Sequence, residues 1–263
     1  ADLGWQDFFA DPRLHRLIDI ALERNTDLRT AALNAEIYRK QYMIARNDLL
    51  PSINASGTGT RTGSLSGGVT RSEYSVGLGV AAYELDLFGR VRSNSQAALQ
   101  GYFSVAANRD AAHLALIAAV AKAHFNELYA QESMALAQRV LKTREATYKL
   151  SQMRHKAGVI SAVDLRQQEA LIESAKADYA NAVKNREQAR NALATLINQP
   201  LPEDLPAALP LSKQFKITRL PAGLSSEVLL NRPDIRAAEH SLKQANANIG
   251  AARAAFFPTI SLT

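Results

Sequence analysis

Few side chains in this sequence could do chemistry. His113 and His124 stand eleven residues apart, a spacing that puts both imidazoles on one face of a helix. Two histidines alone make a poor metal site, and no cluster of carboxylates accompanies them, so the expectation is a packing or interhelical role. Cysteine is absent, which excludes disulfides, thiolate metal sites and cysteine nucleophiles. No glycine-rich loop joins a strand to a helix with phosphate-binding spacing, and there is no Gly-x-Ser-x-Gly elbow. The residues therefore indicate no catalytic, cofactor-binding or metal-binding set, and the chain reads as a non-enzyme.

Charge offers a second chemistry. The chain carries a net +6, and most of that excess lies between Arg139 and Lys156. There Arg139, Lys142, Arg144, Lys149, Arg154 and Lys156 face Glu145 alone. Nucleic-acid recognition would need stacking residues or a known motif, and Tyr148 is the one aromatic residue in the stretch. A solvated helix face is the simpler reading, and no nucleic-acid partner is expected.

The elements that must hold these residues are long helices. No proline occurs between Pro51 and Pro200, and glycine is scarce from Arg90 to Asn198. Residues 13–50 and 90–198 are rich in alanine, glutamine and arginine, which favour helix. Arg90–Lys156 as one helix would reach roughly 100 Å. After a stop at Ala157-Gly158, a second helix from about Ser161 to Asn198 would return roughly 57 Å of that. Rods of this length must bury their apolar stripes sideways. The second has a heptad seam, with Leu165, Ile172, Tyr179, Arg186 and Leu193 in one position and Gln168, Ala175, Ala182, Ala189 and Leu196 in the other. The longest near-apolar run, Leu114 to Ala121, is far short of the ~20 residues a spanning helix needs. No leader segment is evident at the N-terminus.

Residues 51–89 differ. Tyr74, Val76, Leu78, Val80 and Ala82 alternate with Ser75, Gly77, Gly79 and Ala81, and Ile53, Ala55, Gly57 and Gly59 alternate with Asn54, Ser56, Thr58 and Thr60. Two strands of about ten residues, joined by the polar loop Thr62–Ser72, match the length of outer-membrane barrel strands. A soluble hairpin gives the same pattern. Two strands cannot satisfy their own edges in lipid, so a membrane reading requires further strands. Residues 199–222, with Pro200, Pro202, Pro206, Pro210 and Pro221, read as an extended connector.

Asp27–Ser56 aligns without gaps on Asp234–Thr263, an offset of 207 residues. Identities fall at Asp27/Asp234, Arg29/Arg236, Ala31/Ala238, Ala45/Ala252, Arg46/Arg253, Pro51/Pro258 and Ile53/Ile260. The expectation is a duplicated architecture of which this chain is a fragment: one whole unit, then the opening of a second. Its parts are N-terminal helices (1–50), the hairpin (51–89), the long helical hairpin (90–198, tip near 157–161), the connector (199–222) and the truncated start of the second repeat (223–263).

The residues now on the page carry a resemblance. The stretches Trp5-x-x-Phe8-Phe9-x-Asp11-Pro12-x-Leu14, Ala21-Leu22-x-x-Asn25-x-Asp27-Leu28 and Tyr83-Glu84-Leu85-Asp86-Leu87-Phe88-Gly89-Arg90 lead it. Gly158 to Leu165, Arg232-Pro233-Asp234-Ile235 and Asn248 to Pro258 follow in the same order. Together they resemble the TolC-type outer-membrane efflux channel family, in the OprM/MtrE-like branch that serves resistance–nodulation–division multidrug pumps. The resemblance implies a mainly α protein with a membrane β hairpin: long antiparallel helical hairpins of a periplasmic α-barrel, plus strands of a trimeric twelve-stranded β-barrel. It implies a homotrimer in the bacterial outer membrane, with a large periplasmic portion and no cofactor. A periplasmic membrane-fusion adaptor would dock at the tip and link it to an inner-membrane transporter of that pump class. The channel would be a passive duct carrying drugs and other toxic compounds outward.

Gly158, Val159, Ile160 and Ser161 match the family's small-apolar tip, so adaptor contact is expected there, with Asp164 one turn in. A plain helix cap, with Gly158 turning the chain and Ser161 capping the next helix, explains the same residues. Tyr74, Val76, Leu78, Val80 and Ala82 would face outer-membrane lipid. Tyr74, Tyr83 and Phe88 fit either an interfacial girdle or ordinary packing. From the residues alone, a soluble coiled-coil scaffold with a small β insert stands beside the export duct.

Overall fold

The computed structural model describes residues 4–63, 70–80, 83–217, 223 and 225–262. A short α1 (Trp5–Phe8) leads into α2 (Pro12–Arg24) and α3 (Thr26–Asn47). Three strands follow, β1 (Ile53–Thr62), β2 (Arg71–Val80) and β3 (Tyr83–Leu85), and then the two rods α4 (Arg90–Lys156) and α5 (Ala162–Leu196). Two 3-10 turns, Leu211–Lys213 and Ser226–Asn231, precede α6 (Pro233–Ala254) and β4 (Ile260–Leu262). The chain is mainly helical with small strand pairs, as the sequence led one to expect. Among the described residues no helix is long and apolar enough to cross a membrane. That says nothing of a β-barrel.

One compact unit holds the chain up to Arg29 and from Ala112 through the connector. Its core is the buried stripe of α2 (Leu14, Leu17, Ile18, Ala21) set against Leu116, Ile117, Val120 and Ala121 of α4 and Leu193 and Ile197 at the end of α5. The helix ends here are built by asparagine. Asn25 interrupts the helical texture of residues 13–50: its Oδ1 accepts the Asp27 and Leu28 N–H groups at 3.0 Å, capping α3. Its Nδ2 donates to the Leu196 carbonyl at 3.0 Å, a group the end of α5 would otherwise leave orphaned. Asn198, at φ 53°, supplies the left-handed C-terminal residue of α5, and its Nδ2 donates to the Arg24 carbonyl. Each asparagine thus caps the other's helix. The predicted heptad seam of α5 is buried or half-buried at every position, while most residues off the seam are exposed.

The described part of the connector packs on this core. Leu201 is buried in the core and Leu205 packs on it. Phe215 forms an antiparallel bridge with Phe9, and Phe8, Phe9, Phe125 and Phe215 meet in edge-on and tilted ring contacts.

The second unit holds Thr30–Ala111 and the residues from Ser225 onward. Here α6 packs on the first turns of α4 through small and polar residues. Ser104 Oγ donates to the Ala237 carbonyl at 3.0 Å and lies 2.9 Å from Ser241 Oγ. His240 meets Gln100 at 2.8 Å. A Cβ on Gly101 would stand 3.0 Å from the Gln244 amide, so glycine is what permits this close approach.

The internal repeat survives as structure. α3 and α6 each have 22 residues, and their boundaries, like the first residues of β1 and β4, keep the offset of 207.

Candidate functional site

The hairpin is regular along its whole length. Ten antiparallel pairs run from Ile53↔Val80 to Thr62↔Arg71, so the connection is shorter than the Thr62–Ser72 loop read from sequence. Because side chains alternate, this register sorts the residues completely. Ile53, Ala55, Gly57 and Gly59 share a face with Val80, Leu78, Val76 and Tyr74; Asn54, Ser56, Thr58 and Thr60 share the other with Gly79, Gly77, Ser75 and Glu73. On the apolar face a Cβ at position 59 would lie 3.1 Å from the Tyr74 ring, so the aromatic side chain covers the glycine opposite. On the polar face the Thr58 and Ser75 hydroxyls hydrogen-bond. Among the described residues nothing covers the apolar face: Val76 is 90% exposed, and Tyr74, Leu78, Val80 and Ile53 are exposed with it. Ala82, assigned to the same set, lies outside the described residues.

Residues 83–90 turn strand into helix, and six of them have a mechanical task. Tyr83 Oη donates to the Leu49 carbonyl at 3.1 Å, Glu84 pairs with Arg90, and Gly89 takes φ 79°. Asp86 accepts the Val91 and Arg92 N–H groups at 3.0 and 2.9 Å, capping α4. Phe88 stacks on Phe257 of the second repeat, centroids 4.4 Å apart. β3 in turn pairs with β4, Tyr83↔Leu262 to Leu85↔Ile260. Of the two readings of Tyr83 and Phe88, packing is the one these contacts express.

At the tip, the N–H of Gly158 bonds to the His155 carbonyl and that of Val159 to the Arg154 carbonyl, both at 2.9 Å. With Gly158 at φ 73° this is a Schellman stop. Ser161 starts α5 through a reciprocal capping box with Asp164. Those hydrogen bonds, from the Ser161 hydroxyl and then its backbone, hold the Asp164 carboxyl below its ordinary value. Between the two caps the chain presents Val159, 65% exposed, and a half-buried Ile160 whose carbonyl meets His155 Nδ1 at 3.1 Å. The cap reading thus accounts for Gly158, Ser161 and Asp164, while the exposure of Val159 has no intramolecular purpose.

Sequence reasoning missed a buried polar clasp in the first unit. Asp11 is fully buried. Its Oδ1 accepts the Arg13 N–H at 2.9 Å, capping α2. Its Oδ2 takes His124 Nε2 at 3.0 Å, the Leu209 N–H at 3.1 Å and Gln214 Nε2 at 3.0 Å. Since a carboxylate only accepts, His124 must place its proton on Nε2. Its Nδ1, 3.9 Å from Glu127, has no hydrogen-bond partner, and Arg13 holds Glu127 from the other side. Burial pushes His124 below its ordinary value, against the pull of Asp11 and Glu127. Burial also works against the Asp11 anion, but the bonds from Gln214, His124 and the Arg13 backbone keep its carboxyl low. The sequence signal was slight: Asp11-Pro12 reads as a helix start, and nothing local connects it to His124 or Gln214. His113, eleven residues upstream, is half-buried and takes no part. Among the described residues no group of three potential ligands could hold a metal ion.

Comparison with known proteins agrees with this geometry. The sequence model of the family described as Outer membrane efflux protein matches residues 17–199 and 224–263. The antibiotic efflux pump outer membrane protein ArpC of Pseudomonas putida is 46% identical over 272 residues, covering 100% of this chain and 55% of its own. The outer membrane protein OprJ of Pseudomonas aeruginosa is 42% identical over 271 residues, covering 99% and 56%. The open-state crystal structure of the MtrE outer membrane channel of Neisseria gonorrhoeae superposes with a TM-score of 0.87 at 72% identity, covering 99% of this chain and 59% of that one. The chain spans about half the length of the curated relatives it matches. A family of outer-membrane channels with long helical rods explains both a hairpin that exposes an apolar face and helices that exceed any compact core. The chain belongs to the outer membrane efflux protein family.

Proposed function

We propose that the full protein is the outer-membrane channel of a tripartite efflux pump, a passive homotrimeric duct that carries drugs and other toxic compounds out of the periplasm. The observation that carries this reading is the hairpin, whose uncovered apolar face suits lipid and whose hydroxyl- and glycine-lined face suits a lumen. The residues offered to lipid are Tyr74, Val76, Leu78, Val80 and Ala82. No catalytic role is assigned to any residue. Polar groups along rods and lumen serve passage, and energy would come from an inner-membrane resistance–nodulation–division transporter. The name of ArpC supports antibiotics as one class of cargo.

The repeat supports assembly of copies into a closed ring. α6 turns Ala237, His240, Gln244 and Ala254 toward its packed side, and the equivalent residues of α3 are Thr30, Leu33, Ile37 and Asn47. Leu33 and Ile37 are exposed, as is Ile44, the equivalent of the half-buried Ala251. Leu50 is likewise exposed where its equivalent Phe257 stacks on Phe88. Among the described residues, Leu33, Ile37, Ile44 and Leu50 of repeat one stay exposed where their equivalents in repeat two are packed or half-buried. A second copy, presenting its own second repeat, supplies that packing, and head-to-tail contacts that close generate a ring.

Gly158, Val159, Ile160, Ser161 and Asp164 form the surface offered to the periplasmic adaptor, with Val159 and Ile160 as its apolar point. Replacing Val159 and Ile160 together with Asp in the full-length protein should lower drug export while trimers still form. Unchanged export with unchanged adaptor cross-linking contradicts the docking assignment.

A further inference from the structure

The membrane-facing side of the hairpin ends on an unmatched charge. In the strand register Arg61 pairs with Ser72, one step beyond the Gly59↔Tyr74 pair, and the ladder continues to Thr62↔Arg71. Arg61 therefore still belongs to the face of Ile53, Val76, Leu78 and Val80. The opposite face carries Arg71 and Glu73, which offset each other two residues apart on one strand. The apolar face carries Arg61 and no acid, and Arg61 takes part in no ion pair among the described residues. Eight residues separate it from Ile53 at the root of the hairpin, about 27 Å along the strand at ~3.4 Å per residue. At a tilt near 40° this is about 21 Å of height, which brings Arg61 to the rim of an apolar band ~25 Å tall. A guanidinium at that level meets headgroups, not hydrocarbon. Phosphate is the group whose geometry matches its paired donors.

We propose that Arg61, with the Ser72 hydroxyl beside it and Tyr74 beneath, binds the phosphate of an outer-leaflet glycolipid. This rests on the membrane reading of the hairpin, and the loop end faces outward because the root adjoins the helices. The counter-charge missing from this face is then supplied by the lipid, three times around the trimer.

The test is native mass spectrometry of the full-length trimer titrated with diphosphoryl lipid A, with phosphatidylcholine as the neutral reference. Arg61→Gln should weaken lipid A retention on the order of fivefold per protomer. Arg61→Lys, which keeps the charge but not the paired donors, should keep only part of it, and Arg71→Gln, on the other face, should leave it unchanged. Equal retention in Arg61→Gln and the unaltered protein, or an equal loss in Arg71→Gln, overturns the proposal. A spin label at Val76 is read on the same protein. A label in water fails the membrane reading itself, whereas a label in lipid with unchanged retention fails the phosphate site alone.

Discussion

Asp11→Asn is the perturbation that most sharply tests how the N-terminal segment is held. The substitution is nearly isosteric, and an Asn carbonyl can still take the Arg13 N–H now on Oδ1, preserving the cap of α2. The other side of the group changes sign. Oδ2 accepts from His124, Leu209 and Gln214; against an amide NH2 the Leu209 N–H cannot accept at all, His124 can do so only by moving its proton to Nδ1, and Gln214 only by turning its amide and giving up its bond to the Leu209 carbonyl. Each stranded buried donor costs ~1–3 kcal/mol; with the Leu209 amide stranded outright and His124 and Gln214 forced to rearrange, about 3 kcal/mol is expected. At 1.36 kcal/mol per decade that is roughly a hundredfold in a local opening equilibrium. Hydrogen exchange of the full-length protein reads this directly at the Leu209 amide, which bonds to Asp11 itself. Asp11→Ala should add the loss of the cap, ~1 kcal/mol more. A Leu209 exchange rate within threefold of the unaltered protein in Asp11→Asn would refute the clasp as a source of stability.

Acid should loosen the same clasp in a defined order. His124 is held below its ordinary 6.5, so the fold favours its neutral form; its contribution is complete above about pH 6.5 and declines as pH falls toward the lowered folded value. Asp11, held below 3.8, keeps its contribution until pH falls through its own lower value. Corrected for the intrinsic pH dependence of amide exchange, the opening equilibrium of the connector should therefore increase as pH falls from 7.5 to 5, and His124→Gln should flatten that increase; a flat corrected profile in the unaltered protein contradicts the assignment. Asn25→Ala should cost about 1–2 kcal/mol by freeing the Asp27 and Leu28 amides and the Leu196 carbonyl, measurable as faster exchange at both amides. Gly158→Ala meets no steric obstacle, yet should cost about 1 kcal/mol for its left-handed backbone, seen as fraying confined to residues 154–161.

What the sequence disclosed and what it hid divide along contact range. Propensity and proline spacing placed α4 and α5 nearly to the residue, since those signals are local and the rods are long. The strand alternation foretold both faces of the hairpin, because a period of two admits only one sorting once the register is set. The ungapped repeat anticipated the boundaries of α6 and β4 from those of α3 and β1. The clasp escaped because His124 and Gln214 lie 113 and 203 residues from Asp11. Only the fold brings them together, and a lone histidine on an alanine-rich helix carries no mark of its partner. The roles of Asn25, Asp86 and Tyr83 sat inside recognised stretches, but a stretch names residues without saying which backbone groups they satisfy. The corner residues prove to be caps and struts.

In the proposed channel the two faces of one hairpin meet two different solvents. Single spin labels at Val76 and Val80, and at Ser75 and Gly77 on the alternate face, can be placed in the full-length protein in lipid bilayers. Their collision rates with oxygen and with a water-soluble nickel chelate then report each environment. Oxygen-dominated collisions are expected at 76 and 80 and chelate-dominated collisions at 75 and 77. Chelate access at all four positions would contradict this arrangement.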